Sequence, residues 1–202
     1  MFTVRHWVAM GVLTAMAFLL MFFVEFSLTP ALPFIPPFLK YDPGDVPAIL
    51  AALTMGPWAG VAVAFGKNVL FFLAGRSTFG LLGVVPNFLA GATLAAVAGW
   101  AYRQRPTPLM AAMGMGAGIM AMAGILALTN YLIFLPLLYG LPKEELAPLV
   151  LGAITPFNLI KGTMSAALAY AVAARLPAPL KESWRPERAP GRAVVRWGQK
   201  GL

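Results

Sequence analysis

The chain has 202 residues, 60% hydrophobic and 11% charged, with a formal net charge of +8. A soluble domain of this size holds about 45–50% apolar and about 25% charged residues, so the composition disfavours a cytosolic enzyme or nucleic-acid binder and points to an integral membrane protein. Cysteine is absent and His6 is the single histidine, which removes disulfides, thiolate metal sites and cysteine nucleophiles and leaves little material for zinc or Ser-His chemistry.

A membrane-crossing helix needs about 20 mostly apolar residues. Residues 8–28 meet that, with Glu25 near the end of the run and no small-residue cleavage pattern after it, unlike a signal peptide. His6 and Trp7 precede the run at the interface, with His6 expected as a solvated anchor. Residues 29–45, containing PALPFIPPFLKYDPGD, are apolar but too rich in proline for regular helix. Further apolar runs cover 46–73, 81–102, 109–138 and 149–174.

Gly56-Pro57 interrupts the first of these runs, splitting it into helices at about 46–55 and 58–74. The shorter one spans only about half a bilayer, so something apolar must cover the remainder. The preceding ALPFIPPFL is the available segment. Irregular backbone is tolerated at membrane depth only where protein buries it or it lines a cavity, which suggests a loop dipping in as a lid. The Gly-, Ala- and Met-rich stretch at 110–127 allows close helix packing. Residues 177–202, rich in proline and arginine, read as a disordered basic cytosolic tail. The expected fold is all-α: six transmembrane helices in a domain over 1–176, with a long external first loop lidding an outward-facing pocket.

Six helices place both termini on one side, together with Arg5, Arg103, Arg105, Arg175 and the six basic residues of the tail. Opposite lie Lys40, Arg76 and Lys143 beside Asp42, Asp45, Glu144 and Glu145. Because basic residues stay in the cytoplasm, both termini are assigned there. A five-helix arrangement gives the same split, and the Gly56-Pro57 break favours six. The net charge then reflects topology and some attraction to anionic lipid, with no nucleic-acid partner.

Ionisable groups inside a membrane cost about 2.5–3.5 kcal/mol each on the insertion scale and mark function by default. Here they are Glu25, Lys67 and Lys161, joined by Asn68, Asn87, Asn130 and Asn158. Asn158 and Lys161, spaced i, i+3 on one helix face, fall roughly 10 and 15 Å below the outer end of the last helix. Asn130 comes out at roughly 8–12 Å, with Lys67 and Asn87 at similar depth. Polar groups from four helices thus converge on an outward-facing pocket. The bland readings are interhelical glue for Asn68 and Asn87, pairing of Lys67 with Glu25 or carbonyls, and snorkelling of Glu25 to the outer interface. Asp42 and Asp45 sit in a DPGD turn, where Asp commonly caps the following helix.

FLKYDPGDVPAIL, GPWAGVAVAFGKNVL, PNFLAG and ITPFNLIKG, in that order and spacing, resemble the riboflavin-specific substrate-binding subunits of energy-coupling-factor (ECF) vitamin transporters across about residues 5–176. The resemblance implies a six-helix vitamin-binding subunit that docks onto a transmembrane coupling protein served by two cytosolic ATPases. Asn130, Asn158 and Lys161 match the positions that bond the flavin edge. Leu39 and Ala74 correspond to apolar contacts from the first loop and the end of the third helix. The family's first helix carries an alanine-xxx-alanine docking motif. Here Ala9 is followed four residues on by Leu13, and Gly11-xxx-Ala15 offers an equivalent groove.

A flavin is broad, flat and largely apolar, with a pyrimidine edge that amides and an ammonium match. Phe38 and Tyr41 are placed to cover its faces or simply to pack the lid. The substrate-binding set is thus Asn130, Asn158, Lys161, Leu39, Tyr41, Ala74, Lys67 and Asn87, with Ala9, Gly11 and Ala15 at the partner interface. No metal or cofactor is expected, riboflavin being cargo. No GxxxxGK[ST] loop is present, so ATP hydrolysis by that route is left to partners. The alternatives are a sister subunit for another flavin or vitamin, such as FMN or a thiamine-like ligand, and, more remotely, a small intramembrane enzyme.

Overall fold

The computed structural model describes residues 2–140 and 142–175; the expected tail at 177–202 lies outside them. Among the described residues, four helical stretches are long and apolar enough to cross a membrane: Val4–Phe23, Leu81–Gln104, Pro108–Tyr139 and Glu144–Arg175. Two shorter apolar helices, Asp45–Met55 and Pro57–Leu73, accompany them.

Helix α1 spans Val4–Phe23, starting and ending earlier than its apolar run. His6 is the reason for the early start. It is buried at 5% exposure, with Nδ1 2.6 Å from Thr3 Oγ1 and accepting the Thr3 N–H at 3.2 Å. The histidine therefore takes the place of the usual Glu or Gln in a capping box and is not the solvated anchor expected. Beyond α1, β1 (Phe26–Ser27) pairs antiparallel with β2 (Lys40–Tyr41), Phe26 opposite Tyr41 and Ser27 opposite Lys40. This ribbon, absent from the sequence reading, ties together the base of the non-helical loop. Inside the loop, Ile35 is fully buried and its carbonyl accepts from Thr29 Oγ1 at 2.8 Å.

The Gly56-Pro57 break is where the sequence places it. Gly56 has φ 104°, a conformation open to glycine, between α2 (Asp45–Met55) and α3 (Pro57–Leu73), which has proline at its first position. Nine of the eleven α2 residues are buried. Val46, Ile49 and Leu53 pack with Leu94, Met115 and Met122; Ala48, Ala51 and Ala52 pack with Ala17, Val63 and Ala95. A helix apolar on all sides belongs inside a protein. Its shortness is harmless because neighbouring helices, not lipid, surround it.

Helix α4 (Leu81–Gln104) lies against α5 (Pro108–Thr129). A Cβ at Gly114 would come within 2.7 Å of Ala101 Cβ and one at Gly118 within 2.9 Å of Leu94, the close approach expected of the 110–127 stretch. Helix α5 runs through a π-helical turn, Asn130–Phe134, into α6 (Leu135–Tyr139); α7 (Lys143–Leu149) runs through another, Val150–Ile154, into α8 (Thr155–Arg175). Each π turn ends two residues before a proline, Pro136 or Pro156. Proline lacks the N–H and its ring crowds the carbonyl one turn back, so a widened turn accommodates it. Such turns concentrate at functional sites.

Candidate functional site

A cavity of about 440 Å³ opens between the first loop, the α3–α4 connection and the two π-interrupted helices. That volume suits a small organic ligand. Its wall includes Phe71, Phe79 and Phe157 beside Leu39, Asn87, Asn130, Asn158 and Lys161. Phe38, also in the wall, meets Phe79 edge-on with ring centroids 6.4 Å apart.

At the cavity floor lies a buried cluster of two carboxylates and two ammonium groups, of which Asp42 and Lys161 reach the wall and Asp45 and Lys67 lie behind it. Lys67 Nζ donates to Asp45 Oδ1 at 2.6 Å and to Asp42 Oδ1 at 3.4 Å. Lys161 Nζ donates to Asp42 Oδ2 at 2.9 Å and to Asn87 Oδ1 at 2.7 Å, with Asp45 Oδ2 at 3.6 Å. Asp42 also accepts from the Gly44 N–H at 3.0 Å. The formal charges sum to zero, and buried charges persist only when paired and hydrogen-bonded in this way. The close fit involves α4: a Cβ at Gly91 would collide with the Asp45 carboxylate.

Chemical necessity orients the amides. Carbonyls only accept, so Asn130 and Asn158 turn Nδ2 toward the carbonyls of Leu126 and Ile154, each at 2.8 Å, and keep Oδ1 for another partner. An ammonium only donates, so Asn87 must turn Oδ1 to Lys161. Its Nδ2 then lies on the other side, 3.6 Å from Met21 Sδ. Lys161, which lines the cavity, has three protons and two close acceptors, with Asp45 Oδ2 farther off at 3.6 Å. The wall therefore offers donors from Lys161 and Asn87 and acceptors from Asn130 and Asn158.

At the mouth, Glu25 Oε1 lies 3.1 Å from Lys40 Nζ and 3.8 Å from Arg76 Nη2. The Arg76 guanidinium also sits 4.7 Å from the centroid of the Phe22 ring, a cation–π contact. Glu25 thus joins outer groups and does not pair with Lys67, contrary to one of the readings offered above; the partners of Lys67 are Asp45 and Asp42.

Of the sequence-selected residues, Asn130, Asn158, Lys161, Asn87 and Leu39 line the cavity. Tyr41, Ala74 and Lys67 do not. Tyr41 is buried against Phe26, ring centroids 5.4 Å apart; Ala74 is exposed at the end of α3; Lys67 lies wholly beneath the wall. Asn68, outside the wall, donates to the Ala64 carbonyl of its own helix at 2.8 Å. On α1, Gly11 and Ala15 are exposed, whereas Ala9 packs partly against the core. Sequence reasoning missed Asp42 and Asp45 as counter-charges. The available signal was that two membrane lysines need two carboxylates, and DPGD lies immediately before a half-length helix.

Residues 5–173 match a protein family described as "ECF transporter, substrate-specific component". The chain is 34% identical over 164 residues to the riboflavin transporter RibU of Staphylococcus aureus (strain TCH60), covering 78% of this chain and 82% of that protein. It is also 34% identical over 166 residues to the riboflavin transporter FmnP of Bacillus subtilis (strain 168), covering 79% and 85%. Among solved structures it is similar to one described as "Structure and mechanism of the S component of a bacterial ECF transporter", with a TM-score of 0.72, 34% identity and coverage of 85% of this chain and 94% of that one.

Proposed function

This chain belongs to the ECF transporter substrate-specific components, and we propose that it captures riboflavin outside the cell as the binding subunit of an ATP-driven uptake transporter. The observation that carries this reading is the cavity wall, with donors from Lys161 and Asn87 and acceptors from Asn130 and Asn158. The flavin pyrimidine edge alternates acceptor, donor and acceptor, and such a wall complements it. Phe38, Phe79 and Phe157 supply apolar cover for the rings. Two relatives bearing the riboflavin name support the same ligand. Membership of a transporter family removes the enzyme alternative.

In this reading six helices span the cell membrane, both termini are cytoplasmic, and the loop around residues 29–45 is the lid. Leu39 contacts the ring from that lid. The coupling protein packs on the exposed Gly11–Ala15 face of α1, and two cytosolic ATPases supply the energy. Ligand extracted from the purified membrane protein should be yellow and co-migrate with riboflavin; a different extracted ligand would overturn the assignment.

A phosphorylated flavin is the second reading, for one specific reason. Lys40 and Arg76 both line the cavity mouth and share a single carboxylate, Glu25, leaving positive charge to meet a phosphate.

A further inference from the structure

Asp42 is a loop residue, yet it is only 4% exposed and both its oxygens are engaged. Oδ1 is held by the Gly44 N–H and Lys67, and Oδ2 takes Lys161 at 2.9 Å. Asp45 does not duplicate this contact: its Oδ1 is committed to Lys67 at 2.6 Å, and its Oδ2, which has no hydrogen-bond partner among the described residues, stands 3.6 Å from Lys161. Without Asp42, the Lys161 ammonium would follow its remaining counter-charge toward Asp45. The 2.7 Å contact that holds Asn87 Oδ1 would be lost with it. Asn87 would then be free to turn either amide atom to the cavity.

We propose that Asp42 is a positioning residue that acts through Lys161 to fix the Asn87 amide, making Asn87 a specificity-determining donor toward a ligand carbonyl. The inference rests on the riboflavin reading and deepens it. The site selects for a strong acceptor on the ligand edge because Asn87 has no freedom to offer its oxygen instead. Asp42 belongs to the loop between β2 and α2, so seating the base of that loop and preparing the donor pair are a single event.

The test uses the full-length protein in detergent, with riboflavin and its 2-thio and 4-thio analogues, whose sulfur is a weaker acceptor than oxygen. Asp42→Asn should weaken riboflavin binding at least about tenfold, the scale of a charged hydrogen bond. Introduced into a Lys161→Gln background, the same change should alter affinity by less than about twofold, since residues acting in one chain are not additive. A merely structural role would instead add its full cost in both backgrounds. Where Asp42→Asn does not accumulate, Asp42→Glu, which displaces the carboxylate by one methylene, is compared in the same two backgrounds.

Asn87→Leu should erase the wild-type discrimination against whichever thio analogue binds more weakly. Wild-type affinity retained in the Asp42 variant, additive losses, or discrimination intact in Asn87→Leu would overturn the proposal. If the unaltered protein binds no riboflavin, the ligand assignment itself falls, an outcome separate from any variant's.

Discussion

Lys67 Nζ lies 2.6 Å from Asp45 Oδ1, with the two side chains 0% and 1% exposed. The pair fastens the first turn of α2 to α3, and a stability measurement reads it directly. Removing one member strands the other charge in a dry interior, at a cost of about 3–5 kcal/mol. Lys67→Met should lower the melting temperature sharply in detergent. Lys67→Met combined with Asp45→Leu should recover part of the loss, because no isolated charge remains at that pair. A single variant that melts like the wild type would show the pair to be immaterial.

Gly91 tests the same cluster by shape alone. A methyl group there meets the Asp45 carboxylate, so Gly91→Ala should destabilise by about 1–3 kcal/mol, the range for overpacking a filled site. Gly116, where an added Cβ has nothing within 4 Å, is the control. Gly116→Ala should be neutral or slightly stabilising, since alanine is the better helix former. Thermal unfolding of the two variants side by side decides it.

Asn130 and Asn158 keep Oδ1 free because Nδ2 already serves a backbone carbonyl. Their replacement by alanine should leave ligand-free melting nearly unchanged, since each amide bonds only a carbonyl one turn back in its own helical stretch. Riboflavin affinity should fall about tenfold for each, as a lost hydrogen bond with an unpaired ligand group costs about 1–3 kcal/mol. Equilibrium fluorescence titration measures this. Unchanged affinity would move the ligand elsewhere in the cavity.

These asparagines were legible in the sequence because the relevant spacing is local. Asn158 and Lys161 share a helix face by i, i+3 geometry, and Gly56-Pro57 announces its own break. The partners of the lysines were not legible. Asp42 reaches Lys161 across 119 positions of chain, and only the β1–β2 ribbon and the buried seat of α2 bring them together. A DPGD turn reads locally as a helix cap, but the N-cap of α2 is Gly44 with no side-chain bond, and the Asp42 contact with the Gly44 N–H belongs to the turn before the helix. His6 misled for the opposite reason: a local capping contact buried a residue that composition places in water.

The mouth cluster separates the two flavin readings. Glu25 neutralises part of the charge of Lys40 and Arg76, whose side chains are each 46% exposed. Pairs this exposed contribute about 0–1 kcal/mol, so Glu25→Gln should hardly alter melting. It should raise affinity for a phosphorylated flavin relative to riboflavin, with the gain shrinking as salt is added. A ratio of affinities that does not move would remove the mouth from phosphate recognition.

The proposed docking face for a coupling protein is the exposed Gly11–Ala15 stripe on α1. Small residues let helices approach closely in a membrane, and a Cβ at Gly11 meets nothing within 4 Å in the isolated chain. Gly11→Leu with Ala15→Leu should therefore keep riboflavin binding but lose co-purification with the coupling protein and vitamin uptake. Uptake at the wild-type rate would place docking on another face.

The central claim is that the cavity bounded by Lys161, Asn87, Asn130 and Asn158 holds riboflavin. Titrating ligand-free purified protein into riboflavin and following flavin fluorescence tests it most directly. Saturable quenching at one ligand per chain, abolished or strongly weakened in Lys161→Ala, is the result this account predicts. Fluorescence unaffected by the folded wild-type protein would contradict it.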